Sequence, residues 1–113
     1  MKPLITVTLA LLASMAVPPA LAHAHLAGAQ ADAQLLKLVF SEGVEAAFST
    51  VTVTDAEGHA VALQAVSTQA DNPKVLLAQP SSPLAPGEYD GQWQVVSVDT
   101  HKSSGTFHFK IGQ

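Results

Sequence analysis

From Leu35 onward, several stretches carry apolar side chains at every second position, and none keeps a 3.6-residue apolar period for more than a turn. An extended backbone turns successive side chains to opposite faces, so this alternation predicts half-buried strands and excludes amphipathic helices. Leu36, Leu38 and Phe40 share one face, with Lys37 on the other. Val51 and Val53 do the same within 48–54, as do Tyr89, Trp93 and Val95 within 88–98. In the last segment, 105–111, Phe107, Phe109 and Ile111 point inward while Thr106, His108 and Lys110 point outward. Shorter runs at 24–29, 61–66 and 74–78 bring the expected strands to seven. Asp55-Ala56-Glu57-Gly58, Asp71-Asn72-Pro73 and the proline-punctuated stretch 80–87 supply turns between them. The fold class that follows is all-β, a seven-stranded immunoglobulin-like or Greek-key sandwich, barrel-like in section. Leu84-Ala85-Pro86-Gly87-Glu88-Tyr89 has the form of a tyrosine corner, whose hydroxyl bonds back to the upstream backbone.

Residues 1–22 read differently. Lys2 precedes an apolar run from Leu4 to Val17, Pro18-Pro19 interrupts it, and Ala20-Leu21-Ala22 has the small-x-small form of a cleavage site. This is the pattern of a secretory signal peptide, and the run is shorter than the roughly 20 residues that span a bilayer. Cleavage after Ala22 leaves one domain, 23–113, beginning at His23. That domain has no cysteine for a disulfide, and both methionines, Met1 and Met15, are lost with the signal. Four lysines then face nine acidic residues with no arginine, a net charge near −5. Such a surface argues against nucleic acid or an anionic membrane as partner. The mature chain is expected to be a secreted monomer that does not insert into the membrane.

Two residue groups carry possible chemistry. Asp99 and His101 stand two apart at the end of a strand-like run, where an extended backbone would point both side chains the same way. Two ligands make a weak metal site, so a third group must complete it. After cleavage, His23 offers an α-amine with an ordinary pKa of about 8 and an imidazole on the same residue. Amine, two imidazoles and a carboxylate in a tetragonal set favour Cu(II), whereas Cu(I) prefers the sulfur donors that the mature chain lacks. His25 leaves a second arrangement open. At the third mature position it can bind Cu(II) with the terminal amine and intervening backbone nitrogens, without Asp99 or His101.

The residues that carry these features, His23-Ala24-His25-Leu26, Phe40-Ser41-Glu42, the 83–89 corner, Trp93 and Val96–Gly105, resemble the periplasmic copper-resistance protein C family over essentially the whole mature chain. The resemblance implies a small β-sandwich copper carrier. Its implied ligands are His23 through amine and ring, Asp99 and His101, with Glu42 as a weaker or axial contributor. It also implies an inner-membrane copper-transport partner. The chain departs from the family pattern in two places. The segment between His23 and Phe40 is short and lacks the usual proline, and the region around Gly58-His59-Ala60 has a histidine but none of the methionines that hold Cu(I) in many members. A Cu(II)-only protein is therefore expected.

Two other function classes remain at this point. A histidine brace of amine, ring and second imidazole also serves copper oxygenases, but an anionic Asp99 ligand would favour Cu(II) and oppose redox cycling, so no enzyme activity is expected. A metal-free sandwich used for assembly is the other. His59 in a turn and His108 on an outer strand face are expected to be solvated.

Overall fold

A computed structural model describes residues 24–112. The expected signal segment, and His23 with it, lie outside the described residues. Eight strands form two four-stranded antiparallel sheets: β1 (Leu26–Asp32), β2 (Leu35–Phe40), β3 (Thr50–Asp55), β4 (Ala60–Val61), β5 (Ser67–Gln69), β6 (Asn72–Ala78), β7 (Gly87–Val96) and β8 (Lys102–Ile111). One sheet has the order β1-β2-β6-β5, the other β4-β3-β7-β8. The alternation drives this arrangement. Leu36, Leu38 and Phe40 from the first sheet meet Val53, Trp93 and Val95 from the second, all nearly or fully buried. Phe40 lies edge-on to Trp93 with ring centroids 5.0 Å apart. Trp93 in turn lies against Gly105, its register partner on β8, where a Cβ would come within 2.5 Å of the indole.

The last strand begins at Lys102 rather than 105 and β6 at Asn72 rather than 74, and two expected strands differ more deeply from their sequence reading. Residues 24–29 extend into β1, which runs to Asp32. Gln30 and Asp32 hide the strand because this sheet edge is exposed on both faces and needs no alternation. Asp32 Oδ1 accepts the N–H groups of Gln34 and Leu35 at 2.8 and 2.9 Å and closes the β1–β2 turn. The expected strand 61–66 is broken. Only Ala60 and Val61 pair with β3, Leu63 bridges to Pro80, and Ser67 starts a strand of the other sheet. The chain changes layers there, so the strands among the described residues number eight rather than seven.

The tyrosine corner is present: Tyr89 Oη donates to the Ala85 carbonyl at 2.6 Å, and its ring stacks on Phe109 at 5.2 Å. Tyr89→Phe keeps the stack and removes the bond, so it should cost about 1 kcal/mol. Urea melts check this: the midpoint should fall with no change in slope. An unchanged midpoint would mean that the corner contributes nothing.

Candidate metal centre

The β7–β8 connection is a tight turn, and it carries the candidate pair Asp99 and His101. Ser97 and His101 bracket it, with Ser97 N–H bonded to the His101 carbonyl at 2.9 Å and Thr100 N–H to the Ser97 carbonyl at 2.8 Å. Thr100 adopts φ 73°, a left-handed conformation that β-branched residues rarely take. A three-residue hairpin loop that ends in a left-handed residue has this shape. The expected extended backbone at 99–101 is therefore corrected: the turn, not strand alternation, places the two side chains together. His101 Nδ1 lies 3.1 Å from Asp99 Oδ1, and each side chain is about half exposed. Adjacent donors about 2.0 Å from one ion stand roughly 2.8 Å apart at right angles, so the pair can meet one metal with little movement.

Ser97 supports the pair and was not singled out in the sequence. It is fully buried, its hydroxyl donates to Asp99 Oδ1, and it accepts the His101 N–H at 3.3 Å. Its only sequence signal is a small polar residue two before the acid. The Ser97 hydroxyl first, and His101 second, hold the Asp99 carboxyl below the ordinary carboxylate range. A carboxylate that stays ionised is a ready cation ligand.

The start of the described chain lies beside this loop. Ala24 is fully buried, and its carbonyl accepts a 2.8 Å bond from Ser103 Oγ, two residues past His101. His25 is pinned to the Phe-Ser-Glu segment: its N–H donates to Ser41 Oγ and its carbonyl accepts from Ser41 N–H, both at 2.8 Å. Glu42 follows, half-buried, and the next carbonyl, that of Gly43, accepts the Val98 N–H at 2.9 Å. Three stretches remote in sequence thus converge on one end of the sandwich. The residue before Ala24 is His23.

This arrangement bears on the His25 alternative. A local site at a third-position histidine takes deprotonated backbone nitrogens as ligands. The His25 nitrogen is already donating to Ser41, and Ala24 is packed in the core. The fold thus engages the His25 nitrogen that such a site would require.

A family model described as CopC domain matches residues 22–112. The chain belongs to the CopC family. It is similar to copper resistance protein C of Pseudomonas syringae pv. tomato, 33% identical over 81 residues, which span 67% of this chain and 64% of that protein. It is also similar to protein YobA of Escherichia coli K12, 37% identical over 106 residues, with 87% and 86% of the two chains covered. Among solved structures it is similar to CopC from Methylosinus trichosporium OB3b, with TM-score 0.66, 32% identity, and 79% and 93% of the two chains covered. A second is PcoC, a methionine-rich copper resistance protein from Escherichia coli, with TM-score 0.69, 30% identity, and 80% and 99% covered. This CopC-family chain is not methionine-rich: its two methionines are Met1 and Met15. Among the described residues, no helix is long and apolar enough to cross a membrane.

The remaining histidines of the described CopC-family chain have specific partners. At the far end of β3, Asp55 Oδ1 accepts the N–H groups of Glu57 and His59 at 3.0 and 2.8 Å, and the His59 ring lies 3.4 Å from the same carboxylate. The His59 backbone bond, above all, holds the Asp55 carboxyl below its ordinary range. His108 is exposed, as expected, but not simply solvated. Its Nδ1 meets Asp90 at 2.9 Å and its Nε2 meets Glu88, because β7–β8 register sets Asp90 directly opposite and Glu88 diagonal. With an acceptor at each nitrogen the ring favours its doubly protonated form, and Asp90 first, then Glu88, raises its pKa above 6.5.

The consequence for stability has a definite sign. A raised folded pKa contributes stability that is fully present below the unfolded value, about 6.5, and is lost as pH rises through the folded value. Melting temperatures of the natural chain and His108→Gln should differ most near pH 5.5 and converge in alkaline buffer. A gap that widens with rising pH would contradict the bonding described.

Proposed function

We propose that this protein is a periplasmic Cu(II)-binding carrier or buffer, with His23, Asp99 and His101 as ligands and Glu42 as an axial or weaker one. The observation that carries the reading is the Ser103–Ala24 bond: it sets the first described residue beside the Asp99–His101 loop. Residues 1–22 have the features of a secretory signal, and their removal frees the His23 amine. That amine, two imidazoles and a carboxylate form the nitrogen and oxygen set that Cu(II) prefers. The absence of sulfur donors from 23–113 supports a protein that handles Cu(II) and not Cu(I). Binding and release, rather than catalysis, fit an anionic ligand that stabilises Cu(II) against reduction to Cu(I). The proposed partners are the copper ion and a membrane copper transporter that supplies or accepts it, with the carrier itself a monomer.

Titration of the processed protein with Cu(II), followed by electron paramagnetic resonance, tests this. One equivalent per chain with a tetragonal spectrum is expected, with affinity falling from pH 8 to pH 5 as the ligands protonate. No stoichiometric binding would overturn it and favour a metal-free interaction module, and an affinity indifferent to pH would overturn this ligand set.

A further inference from the structure

Four strands end the two sheets, and among the described residues only β8 offers a long, regular edge. β1 is interrupted by a bulge between Leu26 and Gly28, β4 has two residues, and β5 has three with a register shift. β8 pairs with β7 over ten residues, Gly87↔Ile111 to Val96↔Lys102, without a bulge, and no described strand is hydrogen-bonded along its other side, although β1 of the facing sheet comes close and Ser103 bonds the Ala24 carbonyl. A long straight edge is a template for another strand.

Its two faces are unlike. On the inner face Phe107 and Phe109 stack at 5.7 Å yet remain only half-buried. The outer face carries Lys102, Ser104, Thr106, His108 and Lys110, all exposed, with no acidic residue anywhere on β8. The nearest carboxylates, Glu88 and Asp90 on β7, both bond the His108 ring, and no ion pair joins Lys102 or Lys110 to a described carboxylate. The outermost charges of an acidic protein are therefore positive along this one edge.

We propose that the β8 edge is a docking site for an extended acidic segment of a partner protein, added as a strand with acidic side chains against Lys102 and Lys110 and apolar ones over Phe107 and Phe109. Strand addition of this kind takes its affinity from main-chain bonds and its selectivity from alternate side chains. A second copy is a poor occupant. Antiparallel self-pairing centred on Thr106 sets Lys102 opposite Lys110, and like charges directly opposite destabilise a sheet. Residues 1–23 contain no Asp or Glu and fail the same requirement. The lysines that discourage self-association thus select an acidic partner. Because Lys102 follows His101, the added strand would end beside the Asp99–His101 loop, but the proposal does not depend on copper.

The test is a nuclear magnetic resonance titration of the processed protein with a synthetic ten-residue peptide of alternating glutamate and valine. A lysine–valine peptide of the same length is the control. Amide shifts and slowed hydrogen exchange confined to Lys102–Ile111, weakened by about 10-fold or more in the Lys102→Glu/Lys110→Glu variant, are expected. The Lys102→Gln/Lys110→Gln variant should lose less, and both variants should keep the natural circular dichroism. Equal response to the basic peptide, shifts centred elsewhere, or binding untouched by either substitution would overturn the proposal. So would concentration-dependent dimerisation through β8 in sedimentation without peptide.

Discussion

A chain that begins at His23 is expected to bind Cu(II) at least about 100-fold more tightly than the same chain with one extra residue ahead of it. The extra residue turns a basic amine into an amide and removes one donor from the proposed ligand set. Loss of a mere supporting partner of a ligand typically costs 10–100-fold, so loss of a ligand should cost no less. The natural unprocessed chain, in which Ala22 precedes His23, should show the same defect. Competition against a chelator of known affinity measures the difference. Equal affinities would remove the amine from the site and shift attention to Asp99, His101 and Glu42 alone.

The second large effect lies in the core. Phe40→Ala removes the largest fully buried side chain among the described residues, 1% exposed and packed edge-on to Trp93 between the two sheets. Deleting a buried phenylalanine costs about 3–5 kcal/mol through lost burial and the cavity left behind. A domain of this length has a total stability of only about 5–15 kcal/mol. The variant should therefore be barely folded at room temperature, with a sharply lower melting temperature. Because Ser41 follows Phe40 and holds His25, the site should loosen with the core. A variant that melts within a few degrees of the natural protein would show that the sheets close without this ring.

The sequence made the inward faces legible wherever one face of a strand is buried: Leu36, Leu38 and Phe40, and again Phe107, Phe109 and Ile111, point where alternation predicts. The corner at Tyr89 was legible because its bond is local, spanning four residues. What stayed hidden depends on register and layer changes. β1 has no buried face to reveal its length, and the break after Val61 follows from a change of sheet. His108 looked solvated because its carboxylates lie 18 and 20 residues away and are brought to it by strand pairing. In the candidate site, Asp99 and His101 were found by spacing, yet they meet through a turn with Thr100 in a left-handed conformation. The roles of Ser97, Ser41 and Ser103 had no signal beyond small polar residues near those positions.

The proposed copper function depends on the freed nitrogen of His23 and the ring of His101 reaching the same ion. Electron spin-echo spectroscopy of Cu(II)-loaded processed protein counts the imidazoles bound to copper. The expected count is two, from His23 and His101, falling to one in His101→Ala. If His101→Ala leaves both the count and the spectrum unchanged, copper is held by the amino-terminal residues alone, and the shared centre does not exist.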